Sequence, residues 1–186
     1  DGEETILASR NEEDAVKPGN ATNRLELRCI GHEIVAVING VELARIEDST
    51  LSEGMMKIGT GTTAAEPGMV DARFDNLEVR VDRVMAAPVA GEVAYHDDFD
   101  DVGASQLRTD SSDPSSRRYD ISDAEYVLEK VDPELGSAVA EYVPGTYRDV
   151  VVTVDTRLVG EPDDRYIYLT CRDKAETAGS THYRFS

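Results

Sequence analysis

The residues in this chain with chemistry to offer are two cysteines, three histidines, many carboxylates and a set of tyrosines. His32, His96 and His182 are far apart in the sequence, and no His-x-His or Cys-x-x-Cys metal spacing occurs. Cys29 precedes His32 by one tight turn, a spacing that does not set a thiolate beside a base. A hydrolytic pair needs two acids at a fixed separation across a cleft. Acids as abundant as these single out no pair, so the chain reads as a non-enzyme. Asn20-Ala-Thr22 is an N-glycosylation sequon, on a loop after Pro18-Gly19. The Ser and Thr residues from Ser105 to Ser116 offer further hydroxyls for glycans. Tyr142, Tyr147, Tyr166 and Tyr168 are the candidates for stacking on a sugar ring, in a chain with no Trp.

Charge narrows the partners. With 38 acidic and 19 basic residues the formal net charge is -19. Phosphate contacts need clustered cations, so nucleic acid is excluded as a partner and anionic membrane is disfavoured. The acids serve solubility, cation binding or life in a harsh medium, and the plainest reading is a solvated acidic surface. Of the 19 bases, 15 are Arg, a bias for which the sequence supplies no reason. No run is apolar and long enough to span a bilayer, and no signal peptide opens the chain. The first residue is Asp1. This suggests a removed signal or a piece of a longer protein.

Period-two alternation dominates the elements that must position these groups. It predicts strands over 5–9, 24–29, 33–38, 41–46, 56–60 and 70–81, then over 94–99, 119–128, 137–141, 150–158, 165–171 and 181–185. Asn39-Gly40 is a two-residue hairpin signal. Pro18-Gly19, Pro67-Gly68, Pro144-Gly145 and the stretch 160–163 read as turns. Residues 83–93 read as a linker and 103–118 as a polar surface loop. Many short strands between regular turns imply an all-β sandwich or barrel. Leu25, Leu27 and Cys29 share one strand face, as do Ile167, Leu169 and Cys171, so both thiols point to an apolar side. Two readings stay open there, a pair of buried free thiols and a disulfide between neighbouring strands in an oxidising compartment.

The order of the strands carries a resemblance. The run Asn23-Arg-Leu-Glu-Leu-Arg-Cys29 is followed by Ile34-Val-Ala-Val-Ile-Asn-Gly-Val41. Then come Ile46-Glu-Asp48, Ser52-Glu-Gly54, Ile58-Gly59 and Phe74-Asp-Asn-Leu-Glu-Val79. Together they resemble the C-terminal half of a laminin G-like, concanavalin A-like jelly roll. Asp97-Asp-Phe-Asp100, Tyr119 with Glu125-Tyr-Val-Leu128, the strand Asp149 to Leu158, Arg165 to Arg172 and His182-Tyr-Arg-Phe-Ser186 resemble its N-terminal half. The resemblance implies an antiparallel two-sheet jelly roll with its halves in reverse order: 1–82 the C-terminal half, 83–93 a linker, 94–186 the N-terminal half of the next or the same sandwich. Three arrangements fit: a circular permutant, one repeat of a tandem array, or a subunit that exchanges strands with its neighbours.

The same resemblance implies that the opening and closing strands pair. The oxygens of Asp75, Asn76, Asp97, Asp98 and Asp100 could then converge on a structural calcium, or simply form a charged strand end around a buried Phe99 and Phe74; no other cofactor is expected. The Glu-x-Asp-x-x-Glu alternation of related glucanases is absent. The function expected is a structural subunit or repeat of an extracellular filament or cell-surface array, with copies of itself as partners, joined head to tail through β-sandwich completion. The alternative is a carbohydrate-binding, lectin-like module with glycans as ligands. Neither reading calls for membrane insertion.

Overall fold

The computed structural model describes residues 13–62, 68–81, 91–111, 113–134, 139–160, 165–176 and 179–185, with backbone only for 13, 175–176 and 179–185. After one 3-10 turn (Glu13–Ala15) the described residues form twelve strands. They are β1 (Asn23–Ile30), β2 (Glu33–Ile38), β3 (Val41–Glu47), β4 (Gly54–Thr62), β5 (Val70–Val81) and β6 (Glu92–Asp97). Then come β7 (Arg117–Ser122), β8 (Glu125–Lys130), β9 (Val139–Tyr147), β10 (Val150–Val159), β11 (Arg165–Glu176) and β12 (Gly179–Phe185). The expected strand at 5–9 lies outside the described residues, as does most of the 160–163 turn.

All the pairings are antiparallel, and the protein is an all-β, two-sheet sandwich. One sheet runs β3-β2-β1-β10-β5-β8-β7, with β6 also on β5; the other runs β12-β11-β4-β9. The long strand β5 has β10 along one edge. On its other edge β8 pairs with Val70 to Phe74 and β6 with Leu77 to Val81. The two segments of the chain interleave. β10 sits between β1 and β5, and β4 sits between β11 and β9. Both segments thus contribute to both sheets and to one core within this chain. β6 begins at Glu92, so the last two residues of the 83–93 stretch belong to a strand.

Alternation explains the core. On β1 the side chains of Leu25, Leu27 and Cys29 are buried while Arg24, Glu26 and Arg28 between them are more exposed. Leu27, Phe74, Tyr126 and Val152 of the first sheet meet Met56, Ile58, Val139 and Leu169 of the second, all at most 1% exposed. Burial of such a side chain is worth about 1.5–3 kcal/mol. A bulge at Asp75-Asn76, with Asn76 at φ 50°, re-phases β5 so that both Phe74 and Leu77 point inward. The Asn39-Gly40 hairpin forms as expected, with φ 50° and 83°.

Three local expectations change. The predicted single strand over 119–128 is a hairpin, because Asp123 and Ala124 both turn at φ 58°. Neither is Gly, so the usual turn signal is missing. Pro144-Gly145 lies inside β9, an edge strand where a missing N–H breaks no ladder. The 103–118 stretch is a largely exposed loop, as expected, but its last two residues belong to β7 and one side chain anchors it to the core. Leu107 is 4% exposed, and the Tyr126 hydroxyl donates to the Arg108 carbonyl at 2.8 Å.

Candidate functional site

The two thiols are one disulfide. Cys29 on β1 and Cys171 on β11 are bonded, with Cα atoms 6.7 Å apart and both residues fully buried. The bond does not join neighbouring strands, as the sequence suggested. It crosses the core from one sheet to the other, because both inward-facing thiols sit on strands of opposite sheets. No thiolate remains for His32, which is exposed in the β1–β2 turn.

Next to the disulfide, a β-bulge turns Arg172 inward at φ 55° and 1% exposure. Its guanidinium donates to the carbonyls of Arg148 (3.1 Å), Leu51 (2.9 Å) and Gly31 (2.9 Å). One side chain therefore ties together three loops, β1–β2, β3–β4 and β9–β10. Asp149 stands 3.6 Å from the guanidinium and accepts from the Gly31 amide at 2.7 Å. Beside it, Asp173 (1% exposed) pairs with Lys57 Nζ at 2.7 Å, and that ammonium lies 4.6 Å above the Tyr142 ring. Burial pushes Lys57 down, but Asp173 and Tyr142 outweigh it and the net shift is upward.

The arginine bias has a structural reason that the sequence analysis missed. On the outer face of the larger sheet, arginines pair with an acid two residues away on the same strand: Arg28 with Glu26, Arg73 with Asp71 (2.6 Å), Arg80 with Glu78 (2.6 Å) and Arg118 with Asp120 (2.5 Å). Others reach across strands, Arg24 to Asp155 (3.0 Å) and Arg157 to Glu125. A planar guanidinium holds a carboxylate with two parallel bonds, and an ammonium does not. The signal was an Arg and an acid two residues apart, in either order, on alternating strands. Each exposed pair contributes only about 0.2–1 kcal/mol.

The acids read as calcium ligands are only partly brought together. β5 and β6 do pair, with Leu77 opposite Asp97. Yet the Asp97 carboxylate accepts from the Tyr95 hydroxyl (2.9 Å) and the Phe99 amide (3.0 Å), and Asp98 accepts from the Asp100 amide (3.3 Å). Asn76 donates to Asp155 at 3.0 Å. Desolvation holds the Asp75 carboxyl above its ordinary value. The Asn76 amide lowers it, and the charges of Asp155, Glu125 and Asp100 raise it further. Among the described residues no three His, Cys, Asp or Glu side chains converge as a metal site. The strand pairing that calcium would need is present, a converging ligand set is not, and a melting temperature unmoved by chelation removes the calcium reading. Asn20 is exposed, and its side-chain oxygen accepts from the Gly160 amide at 3.1 Å.

Three of the four tyrosines share the outer face of the smaller sheet. Tyr166 and Tyr168 of β11 have ring centroids 6.0 Å apart, with Tyr142 on β9, two strands away. Tyr168 lies flat over Gly59, where a Cβ would meet its ring at 2.3 Å. Tyr147 is elsewhere, buried over Gly145 with its hydroxyl on the Pro144 carbonyl. Near Tyr166 the two sheets part at one end of the sandwich. A cavity of about 320 Å³ opens there, with walls of Leu25, Ile38, Leu158 and Ile167 and a rim that includes Lys17 and Arg165.

No protein-family model and no curated protein sequence matches this chain. The features that bear on its function are the cross-sheet disulfide, the sheet edges and this cavity. Among the described residues no helix is long and apolar enough to cross a membrane.

Proposed function

We propose that this protein is a structural module of an extracellular filament or cell-surface array, built on a laminin G-like jelly roll and joined to copies of itself head to tail. The observation that carries the reading is the direction of the strands at the edges of the smaller sheet. With four antiparallel strands in the order β12-β11-β4-β9, the two edge strands run in opposite directions. A copy displaced along the sheet therefore brings its β9 antiparallel to β12. Such a heterologous contact does not close on itself and grows a fibre. Among the described residues nothing pairs with the outer edge of either strand. The larger sheet is a poorer candidate. Its path of seven strands gives edges running in the same direction, and the β3 edge carries Glu42, Arg45 and Glu47, charges that guard an edge against pairing. On β9 the stretch that remains for pairing is Val139 to Val143, since Pro144 has no N–H.

The buried disulfide fits an oxidising compartment, and the exposed sequon at Asn20 fits a secreted chain. Sedimentation velocity over a concentration series tests the assembly. Open-ended growth above the 20.3 kDa monomer is the expected result, and a monomer at every concentration overturns the reading. The second reading, a glycan-binding module, is favoured by Tyr142, Tyr166 and Tyr168 sharing one face. Under it, saturable binding on a glycan array disappears in Tyr166→Ala.

A further inference from the structure

We propose that the cavity at the end of the sandwich is a binding site for a small amphiphile with an apolar body and one anionic head, a fatty acid-like carboxylate. The proposal is independent of the edge-to-edge assembly, which uses other strands.

Four observations lead there. The cavity holds about 320 Å³, at the small end of the range for sites that enclose an organic ligand. Its walls are mostly hydrocarbon: Leu25 and Ile38 from the larger sheet and Ile167 from the smaller, with Leu158 beside them. One wall residue breaks that pattern. Thr156 stands on the inward face of β10 in line with Val150, Val152 and Val154, and is 4% exposed. Among the described residues its hydroxyl has no hydrogen-bond partner. An orphaned buried hydroxyl is unfavourable. Thr156 lies opposite Asn23, on the same lining as Lys17, so the carboxylate head, which holds the ligand's only oxygens, is the group that would satisfy it.

The rim supplies the opposite sign to the rest of this acidic protein. Lys17 Nζ donates to the Thr22 carbonyl at 3.2 Å, and Arg165 Nη1 donates to the Val159 carbonyl at 3.3 Å. Among the described residues neither is ion-paired with a carboxylate, whereas Arg157, also on the lining, is neutralised by Glu125. Two cations at the mouth of an apolar cavity complement an anionic head with its tail inside.

Calorimetric titration of the intact, oxidised protein tests the site, with sodium decanoate as the probe and decanol as its uncharged counterpart. Saturable one-to-one binding of decanoate is expected. Arg165→Gln should weaken decanoate about fivefold, the worth of one exposed charge contact, and leave decanol unchanged. Leu158→Trp, which fills the cavity, should abolish both. Arg165→Gln sits on the rim, so it reports even if Leu158→Trp does not fold. Absence of saturable binding overturns the proposal, and the orphaned hydroxyl is then met by water. Decanoate binding that is unaltered in Arg165→Gln, or that survives in folded Leu158→Trp, also overturns it, because the probe then binds elsewhere.

Discussion

Replacing both cysteines, Cys29→Ala with Cys171→Ala, should cost this sandwich a large part of its stability. The bond closes a loop with a sequence separation of 142 residues. In the chain-entropy description, closing a loop of that length removes about 17 cal/mol/K from the unfolded chain, which is about 5 kcal/mol at 25 °C. For a protein of this size that corresponds to a fall in melting temperature of about 10–20 °C. Alanine is the right replacement, since both sites are fully buried and a serine hydroxyl there would add its own penalty of about 1–3 kcal/mol. Urea denaturation of the oxidised wild type, the reduced wild type and the double variant measures the effect. The reduced protein and the variant should lose similar amounts. A loss below about 1 kcal/mol in both would refute the reasoning. It would mean that the bond does not form, or that the two segments are held together as firmly without it.

Arg172→Met removes a buried guanidinium from the carbonyls of Gly31, Leu51 and Arg148. A loss of about 3–5 kcal/mol is expected from the urea midpoint, and a change within error contradicts the clamp. Gly59→Ala puts a methyl group 2.3 Å from the Tyr168 ring and should destabilise by about 1–3 kcal/mol. The cost should shrink when Tyr168→Ala is present, and strict additivity in that double-mutant cycle would deny the contact. Asp75 is held above its ordinary value by desolvation and by Asp155, Glu125 and Asp100, so it favours the fold when protonated. That contribution is present below the ordinary aspartate range and is lost as pH rises through the raised folded value. Asp75→Asn should therefore melt higher than wild type at neutral pH and lose the advantage in acid. An equal advantage at both extremes would show that charge is not the cause.

The strands were legible where one face meets the core and the other meets water. β5 ends where its alternation ends, β2 is legible instead as a continuous apolar run, buried on both faces and bounded by turns, and Asn39-Gly40 marks its hairpin without ambiguity. The inward-facing cysteines were legible on the same grounds. Their partner geometry was not, because alternation tells which face a residue takes and not which sheet its strand joins. The Asp123-Ala124 turn escaped because neither residue advertises a positive φ. β9 was expected over 137–141, and its continuation through Pro144 escaped because edge position cannot be read locally. Arg172 escaped for a related reason, since a charged residue beside Cys171 reads as surface until the bulge that turns it inward is known. The tyrosine face was half legible. Tyr166 and Tyr168 share a face by spacing, while the assignment of Tyr142 to that face and of Tyr147 to another depends on the pairing of β9 with β4.

Amide hydrogen exchange measured at dilute and at assembling concentrations tests the self-association most directly. If copies join by pairing β12 with β9, the amides of those two strands gain protection as concentration rises, and those of β3 and β7 do not. Protection that is unchanged in β9 and β12, or gained at β3 and β7 instead, would contradict assembly through the smaller sheet.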